Sequence, residues 1–178
     1  MNRCIRLVSL SVVAAGALAA QSSNPLSEEV KWSYNSIKIN LLKLAEKMPA
    51  EYYSFRPTPD VETFARRIAH IADANMNVCT GLNGEHKPLG AASKTSKAEL
   101  VATLKESFAH CDGVFDSLTD AAAMEQVSSR LGGPFPPMPT RSRLATLNNL
   151  VRHSNEMYGY MAVYLRLKGI VPPTSAPE

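Results

Sequence analysis

Two histidines in the sequence could bind a metal ion or transfer a proton. His70 and His153 each have an acidic residue three positions later, Asp73 and Glu156. Because three residues are close to one helical turn, each carboxylate could orient the imidazole beside it on a helix. Imidazole is a common metal ligand and a general acid or base near neutral pH. These histidines are therefore the first candidates for a functional site. The alternative is that they are two polar residues with no shared role.

Motifs for other well-known chemistry are missing from the sequence. It holds no Gly-rich phosphate loop, no Gly-x-Ser-x-Gly elbow, no Cys-x-x-Cys pair and no His-Glu-x-x-His motif. A ferritin-like di-iron site needs Glu-x-x-His, whereas the acid here follows the histidine. The remaining histidines, His86 in a loop and His110 beside Cys111, have no partner at a helical spacing. The search for a site therefore narrows to His70 and His153.

Four helices are predicted from capping residues and apolar periodicity. They begin at Asn24-Pro25, at Thr58-Pro59-Asp60, at the Ser96-x-x-Glu99 capping box and near Thr140. They end before Pro49, near Leu82, before Thr119 and at Gly169. The segments between them, including 119–139, read as loops, and no β-alternation of useful length is present. The predicted fold class is all-α, a four-helix bundle that buries one apolar stripe from each helix.

The helical phase places the two candidate histidines differently. At about 100° per residue, His70 falls opposite the apolar stripe of its helix, beside Asp73, where it would be a surface residue. His153 falls at the flank of the last stripe, on one ridge with Met157 and Tyr160, and could face a groove between helices. Phase alone therefore does not bring the two together.

Length and charge restrict the class of protein. A chain of 178 residues that is 45% apolar and 20% charged is typical of one folded domain. The net charge is only +3, and two of the basic residues, Arg3 and Arg6, lie at the extreme N-terminus. Nucleic acid is therefore not an expected partner.

The N-terminus is typical of an export signal. Arg3 and Arg6 precede an apolar run from Leu7 to Ala20, and Ala17-Leu18-Ala19 matches a cleavage site. We expect residues 1–19 to be a signal peptide and 20–178 a single domain, exported to the periplasm or secreted. The alternative is an uncleaved N-terminal anchor. The run of about 14 residues is shorter than the roughly 20 that span a bilayer, so no transmembrane segment is expected.

Several segments resemble exported bacterial proteins of the DinB family. The resemblance covers nearly the whole mature chain, in the right order, and is carried by Met48–Thr58, Ala69–Ala74, Lys105–Asp112, His153–Gly159 and Tyr164–Pro173. It implies a four-helix bundle with up-down-down-up connection. It also implies a divalent metal held by three histidines, one from the second helix and two, spaced His-x-x-x-His, from the fourth. Carried over to this chain, the first two ligands are His70 and His153.

The third ligand position is occupied by Met157, which departs from the family pattern. A thioether is a soft, weak ligand for nickel, zinc, iron or manganese. Glu156 lies about 100° around the helix from Met157, so it does not simply replace the missing ligand. Three interpretations remain: a weakened site of His70, His153 and waters, a His-His-Met site for copper(I), or a dead site on a retained scaffold. The weakened or dead site ranks above copper.

The resemblance also bears on Cys79 and Cys111. In a simple hairpin of the second and third helices the two cysteines would lie too far apart along the helices to bond. In the parallel arrangement that the resemblance implies, a modest stagger would let them form a disulfide, and residues 83–95 are long enough to return the chain. Two separate buried thiols are the alternative.

Two classes of function follow. The first is an exported metal-dependent hydrolase or thiol-dependent transferase with an incomplete His-His-Met site. The second is a non-enzymatic bundle, associated with stress or binding a small apolar ligand in a groove near Tyr158, Tyr160, Met161 and Tyr164, residues that could equally be ordinary packing. An unidentified small molecule is the expected partner, and a homodimer is left open.

Overall fold

The computed structural model describes residues 23–128 and 140–176 of the chain. The predicted signal peptide lies outside these residues. The elements are α1 (Pro25–Lys47), α2 (Phe64–Gly81), α3 (Lys97–Asp116), α4 (Asp120–Ala123), β1 (Gln126–Ser128), β2 (Thr140–Ser142) and α5 (Arg143–Leu167). The predicted all-α bundle is confirmed, with α1, α2, α3 and α5 as its four long helices.

Contacts between side chains give the direction of each helix. Asn75 bonds Ser107, and Cys79 bonds Cys111, so partners on α2 and α3 keep a constant separation of 32 residues and the helices run parallel. The start of α3 lies beside the end of α1, because Lys97 Nζ donates to the carbonyl of Met48 at 2.7 Å. These two helices are therefore antiparallel.

The direction of α5 completes the topology. Tyr164, near the end of α5, donates its hydroxyl to the carbonyl of Glu62, just before α2, at 2.6 Å. The two helices are therefore antiparallel, and the bundle has the up-down-down-up connection that the resemblance implied. Among the described residues, no helix has the length and apolar character needed to cross a membrane.

The core is formed by the predicted stripes and is reinforced by aromatic packing. Leu41 and Leu44 of α1 are fully buried. The ring of Tyr34 stacks on Phe115 of α3, with ring centres 3.9 Å apart. Its hydroxyl donates to Asp112 at 2.8 Å, so a polar end is satisfied where the apolar ring is buried.

Two helix starts differ from the predictions. Thr63 caps α2, not Thr58, because the amides of Phe64 and Ala65 are bonded to the carbonyls of Phe55 and Tyr53 at 2.9 and 2.8 Å. The preceding loop therefore holds the chain out of the helix until residue 64. The last helix starts at Arg143, with Ser142 as its cap. By contrast, the predicted Ser96–Glu99 cap of α3 is confirmed.

The stretch 119–139 is not a loop throughout. Thr119 caps the short helix α4, and β1 pairs antiparallel with β2 through Gln126–Ser142, Val127–Arg141 and Ser128–Thr140. Strands of three residues are too short to show alternation in a sequence. The prediction of a loop is therefore wrong for residues 120–123 and 126–128.

The disulfide between Cys79 and Cys111 is present, with Cα atoms 5.3 Å apart. Both cysteines are fully buried between α2 and α3. The bond therefore fixes the parallel pair in one register.

We expect the disulfide to stabilise the bundle by about 3–4 kcal/mol, because it closes a loop of about 33 residues in the unfolded chain. Cys79→Ala and Cys111→Ala should each lower the free energy of unfolding by nearly that amount, and the double variant should lose little more. Denaturant unfolding measures this. Additive losses, or two free thiols besides Cys4 in denatured unreduced protein, would contradict the bond.

Candidate functional site

The two candidate histidines meet across the interface of α2 and α5. Nε2 of His70 lies 2.9 Å from Nε2 of His153, and the ring centres are 4.9 Å apart with planes at 67°. At this distance one imidazole donates an N–H and the other accepts it. The resemblance implied that His70 and His153 are ligands of one ion, which requires the two imidazoles to face one another, and in the structure they do.

The packing of α5 on α2 positions this pair. Tyr164 anchors α5 through its bond to Glu62, and its ring packs edge-on against Phe55 at 6.0 Å. His70 remains an exposed residue, as its helical phase predicts, and His153 is half-buried at the flank of the buried stripe. The pair therefore lies at the solvent-facing edge of the interface.

Burial is the largest influence on the charge of His153. It lowers the pKa of His153, Glu156 opposes the shift, and His70 lowers that pKa further. The imidazole of His153 is thereby favoured in its neutral form, in which one nitrogen can accept a proton or a metal.

Neither acidic residue orients its neighbouring histidine. The carboxylate of Asp73 accepts the amides of Ala91 and Ala92 at 3.0 and 3.2 Å. Glu156 instead accepts the hydroxyl of Tyr160 at 3.0 Å. Amides at the start of the turn Ala91–Ser93 have no partner within that turn and compete for the carboxylate. The expected pairing of each acid with its histidine is wrong.

Met157 follows His153 by one helical turn and contacts a cation. Its side chain is buried, and Nη1 of Arg67 lies 3.8 Å from its sulfur. The guanidinium carbon of Arg67 also lies 5.4 Å from the ring centre of Tyr160. Sequence reasoning missed Arg67, although its place one turn before His70 on α2 could have identified it.

The arrangement fits two of the three metal ligands that the resemblance implied. Two nitrogens on one tetrahedral zinc lie about 3.3 Å apart, so His70 and His153 would need to move little. The sulfur of Met157 faces a guanidinium, however, and a cation placed there would be repelled by Arg67. Within the described residues, no group of three histidine, cysteine or acidic side chains could hold a metal ion.

The aromatic residues expected near a groove are mainly part of the core. Tyr158, Met161 and Tyr164 are buried, and the hydroxyl of Tyr158 is within 3.0 Å of that of Thr174. The packing alternative is confirmed for these three. Tyr160 is 47% exposed and belongs to the surface beside Arg67.

The other two histidines make no contact with the His70–His153 pair among the described residues. His86 is exposed in the loop after α2. His110 of α3 is half-buried and lines a cavity of about 360 Å³ that also borders Asn83 and Arg143. Neither joins the candidate site.

The chain is thus an up-down-down-up bundle in which a histidine of the second long helix faces one of the last. The sequence model of the DinB superfamily matches residues 39–161, and the chain belongs to that superfamily. It is similar in fold to the crystal structure of a DinB-like protein from Bacillus cereus ATCC 10987. That similarity has a TM-score of 0.66 at 20% identity, over 82% of this chain and 95% of the other. No curated protein matches the sequence.

The hydrogen bond between His70 and His153 should be measurable as a coupling energy. In a double-mutant cycle of His70→Ala and His153→Ala, we expect the two losses of stability to be non-additive by about 0.5–1.5 kcal/mol. Denaturant unfolding gives each value. The matched control is His110→Ala with His153→Ala, which share no contact and should add. Additivity in the first cycle would contradict the imidazole pair.

Proposed function

We propose that this chain is a DinB-superfamily bundle that binds a small molecule at the α2–α5 edge and lacks a complete site for a catalytic divalent metal. The contact between Arg67 and Met157 carries the proposal. It puts a fixed positive charge and a weak ligand where a third imidazole would be needed. What remains for a ligand is a pair of imidazoles, His70 exposed and His153 half-buried, one helical turn from a guanidinium. A non-enzymatic binding role fits this set of groups.

The second candidate is a metal-dependent hydrolase or thiol-dependent transferase with a weakened site. It is favoured by the convergence of two Nε2 atoms at 2.9 Å, close to the spacing of ligands on one ion. His70 and His153 would hold nickel, zinc, iron or manganese, and Met157 would favour copper(I) instead. When bound, such a metal lowers the pKa of a water or thiol and so supplies a nucleophile.

Metal titration separates the two candidates. We expect calorimetry with nickel and zinc to show no stoichiometric binding to the mature wild-type protein. Met157→His should raise the affinity for nickel and zinc at least about tenfold. Loss of a residue that only orients a metal ligand lowers metal affinity by about that factor, and a direct ligand should contribute at least as much. Met157→His with Arg67→Met should bind more tightly still, because the repelling charge is removed.

Two controls make the titration decisive. Adding His70→Ala to Met157→His should abolish the gain, since the new site needs all three imidazoles. Stoichiometric nickel or zinc binding by the wild type that is lost in His70→Ala would overturn the proposal in favour of the enzyme. Tight binding of copper(I) alone would assign the His-His-Met site.

We also propose that the protein is exported, with residues 1–19 as a cleaved signal peptide. The disulfide Cys79–Cys111 supports this, because such bonds persist in oxidising compartments and are rare in the cytosol. The sequence Ala17-Leu18-Ala19 supplies the small residues of a cleavage site.

Expression in a bacterial host should give a mature chain that begins at Ala20. Intact-mass measurement and N-terminal sequencing of the periplasmic or secreted fraction check this. Ala19→Arg should block cleavage and leave the longer chain attached to the membrane, whereas Ser23→Arg, beyond the cleavage site, should not. Uncleaved wild type in the membrane fraction would instead identify the segment as an anchor.

A further inference from the structure

Arg67 carries a positive charge for which the described residues provide no acidic partner. Its Nε is buried without a hydrogen bond, and its Nη1 reaches only the sulfur of Met157. The nearest acids in sequence are engaged elsewhere. Glu62 pairs with Arg66 at 3.8 Å, and Asp73 binds the amides of Ala91 and Ala92.

The contacts that Arg67 does make are weak ones for a guanidinium. A thioether is a poor acceptor, and the face of Tyr160 attracts a cation without accepting a directed hydrogen bond. A guanidinium drawn partly out of water is stabilised much better by a charged acceptor, which it binds through two parallel N–H groups. Within the described part of the chain, the Nη2 group of Arg67 has no such acceptor.

The imidazole pair lies about one helical turn from this charge. Arg67 with Met157 and His70 with His153 are consecutive contacts across the same antiparallel interface, three residues apart on α2. That spacing corresponds to about 5 Å along the helix, a gap that an oxyanion making hydrogen bonds of about 2.8 Å on either side can bridge. The N–H that one imidazole donates to the other can be donated to the anion instead.

We propose that Arg67, His70 and His153 together bind a small oxyanion, the carboxylate or phosphate group of a ligand. The oxyanion is the class of ligand for the binding function proposed above, and this inference rests on that function. Arg67 supplies the charge and the N–H groups of Nη2, because Nε is buried and Nη1 faces Met157. The imidazole pair supplies a further donor, and Tyr160 holds the guanidinium plane in place.

The test uses small probes on the mature protein. Acetate, inorganic phosphate and the neutral acetamide are titrated while the ring resonances of His70 and His153 are followed by NMR, with His110 as an internal reference. We expect saturable shifts of the two site histidines with acetate or phosphate and none with acetamide. Saturation by acetate alone assigns a carboxylate ligand, and saturation by phosphate alone assigns a phosphate.

Two neighbouring arginines provide a matched pair of variants. Arg67→Met should lower the affinity for the anion at least about tenfold, because hydrogen bonds to a charged group are lost. Arg66→Met makes the same charge change one residue away, on a side chain that binds Glu62 and the carbonyl of Ala92, and should change affinity less than twofold. Arg67→Gln provides a second test should the methionine variant unfold.

Several results would overturn the anion site. They are equal weakening by Arg66→Met and Arg67→Met, unchanged affinity in Arg67→Met, equal shifts with acetamide, or no saturable shift with either anion. If the wild type also binds neither nickel nor zinc in these cases, the oxyanion inference alone fails. Stoichiometric metal binding by the wild type would instead remove the proposed function itself.

Discussion

The parallel packing of α2 against α3 determines where the other helices of the bundle must lie. Two consecutive helices can run parallel only if the connection between them returns the chain along the whole bundle, which residues 82–96 do. The disulfide Cys79–Cys111 and the bond between Asn75 and Ser107 hold this pair in one register. Because α3 and α1 pack antiparallel, the remaining space beside α2 is left for α5. That helix then runs opposite to α2 and brings His153 level with His70.

The connection is also tied to the helix that carries the site. Asp73 lies one turn after His70 and uses both carboxylate oxygens on the amides of Ala91 and Ala92. A side chain that could have oriented an imidazole therefore secures the returning chain instead. Glu156 is similarly occupied by Tyr160. The fold thus uses the two acids that sequence spacing assigned to the site, and Tyr160 in turn lies against Arg67.

Local signals in the sequence were enough for most of the fold, and long-range contacts account for what they missed. Pro25, the Ser96–Glu99 cap and the apolar stripes predicted α1, α3 and the bundle. The start of α2 was misplaced because the amides of Phe64 and Ala65 bond to a loop nine to twelve residues earlier in the chain. The facing of His70 and His153 came from the resemblance, since phase alone put His70 on the surface. Arg67 and Met157 lie 90 residues apart, and no helical period could reveal their contact.

The hydrogen bonds of the imidazole pair bear on what the site can do. A histidine that ligates a metal usually donates its second ring nitrogen to a carboxylate or carbonyl, which fixes the tautomer and aims the lone pair. In the described residues, the rings of His70 and His153 have one hydrogen bond, and it joins them to each other. Each can therefore be donor or acceptor, and the roles can exchange without disturbing another group. Together with a guanidinium that has no acidic partner among residues 23–128 and 140–176, this exchange of roles supports the proposed oxyanion site over a metal site of rigid geometry.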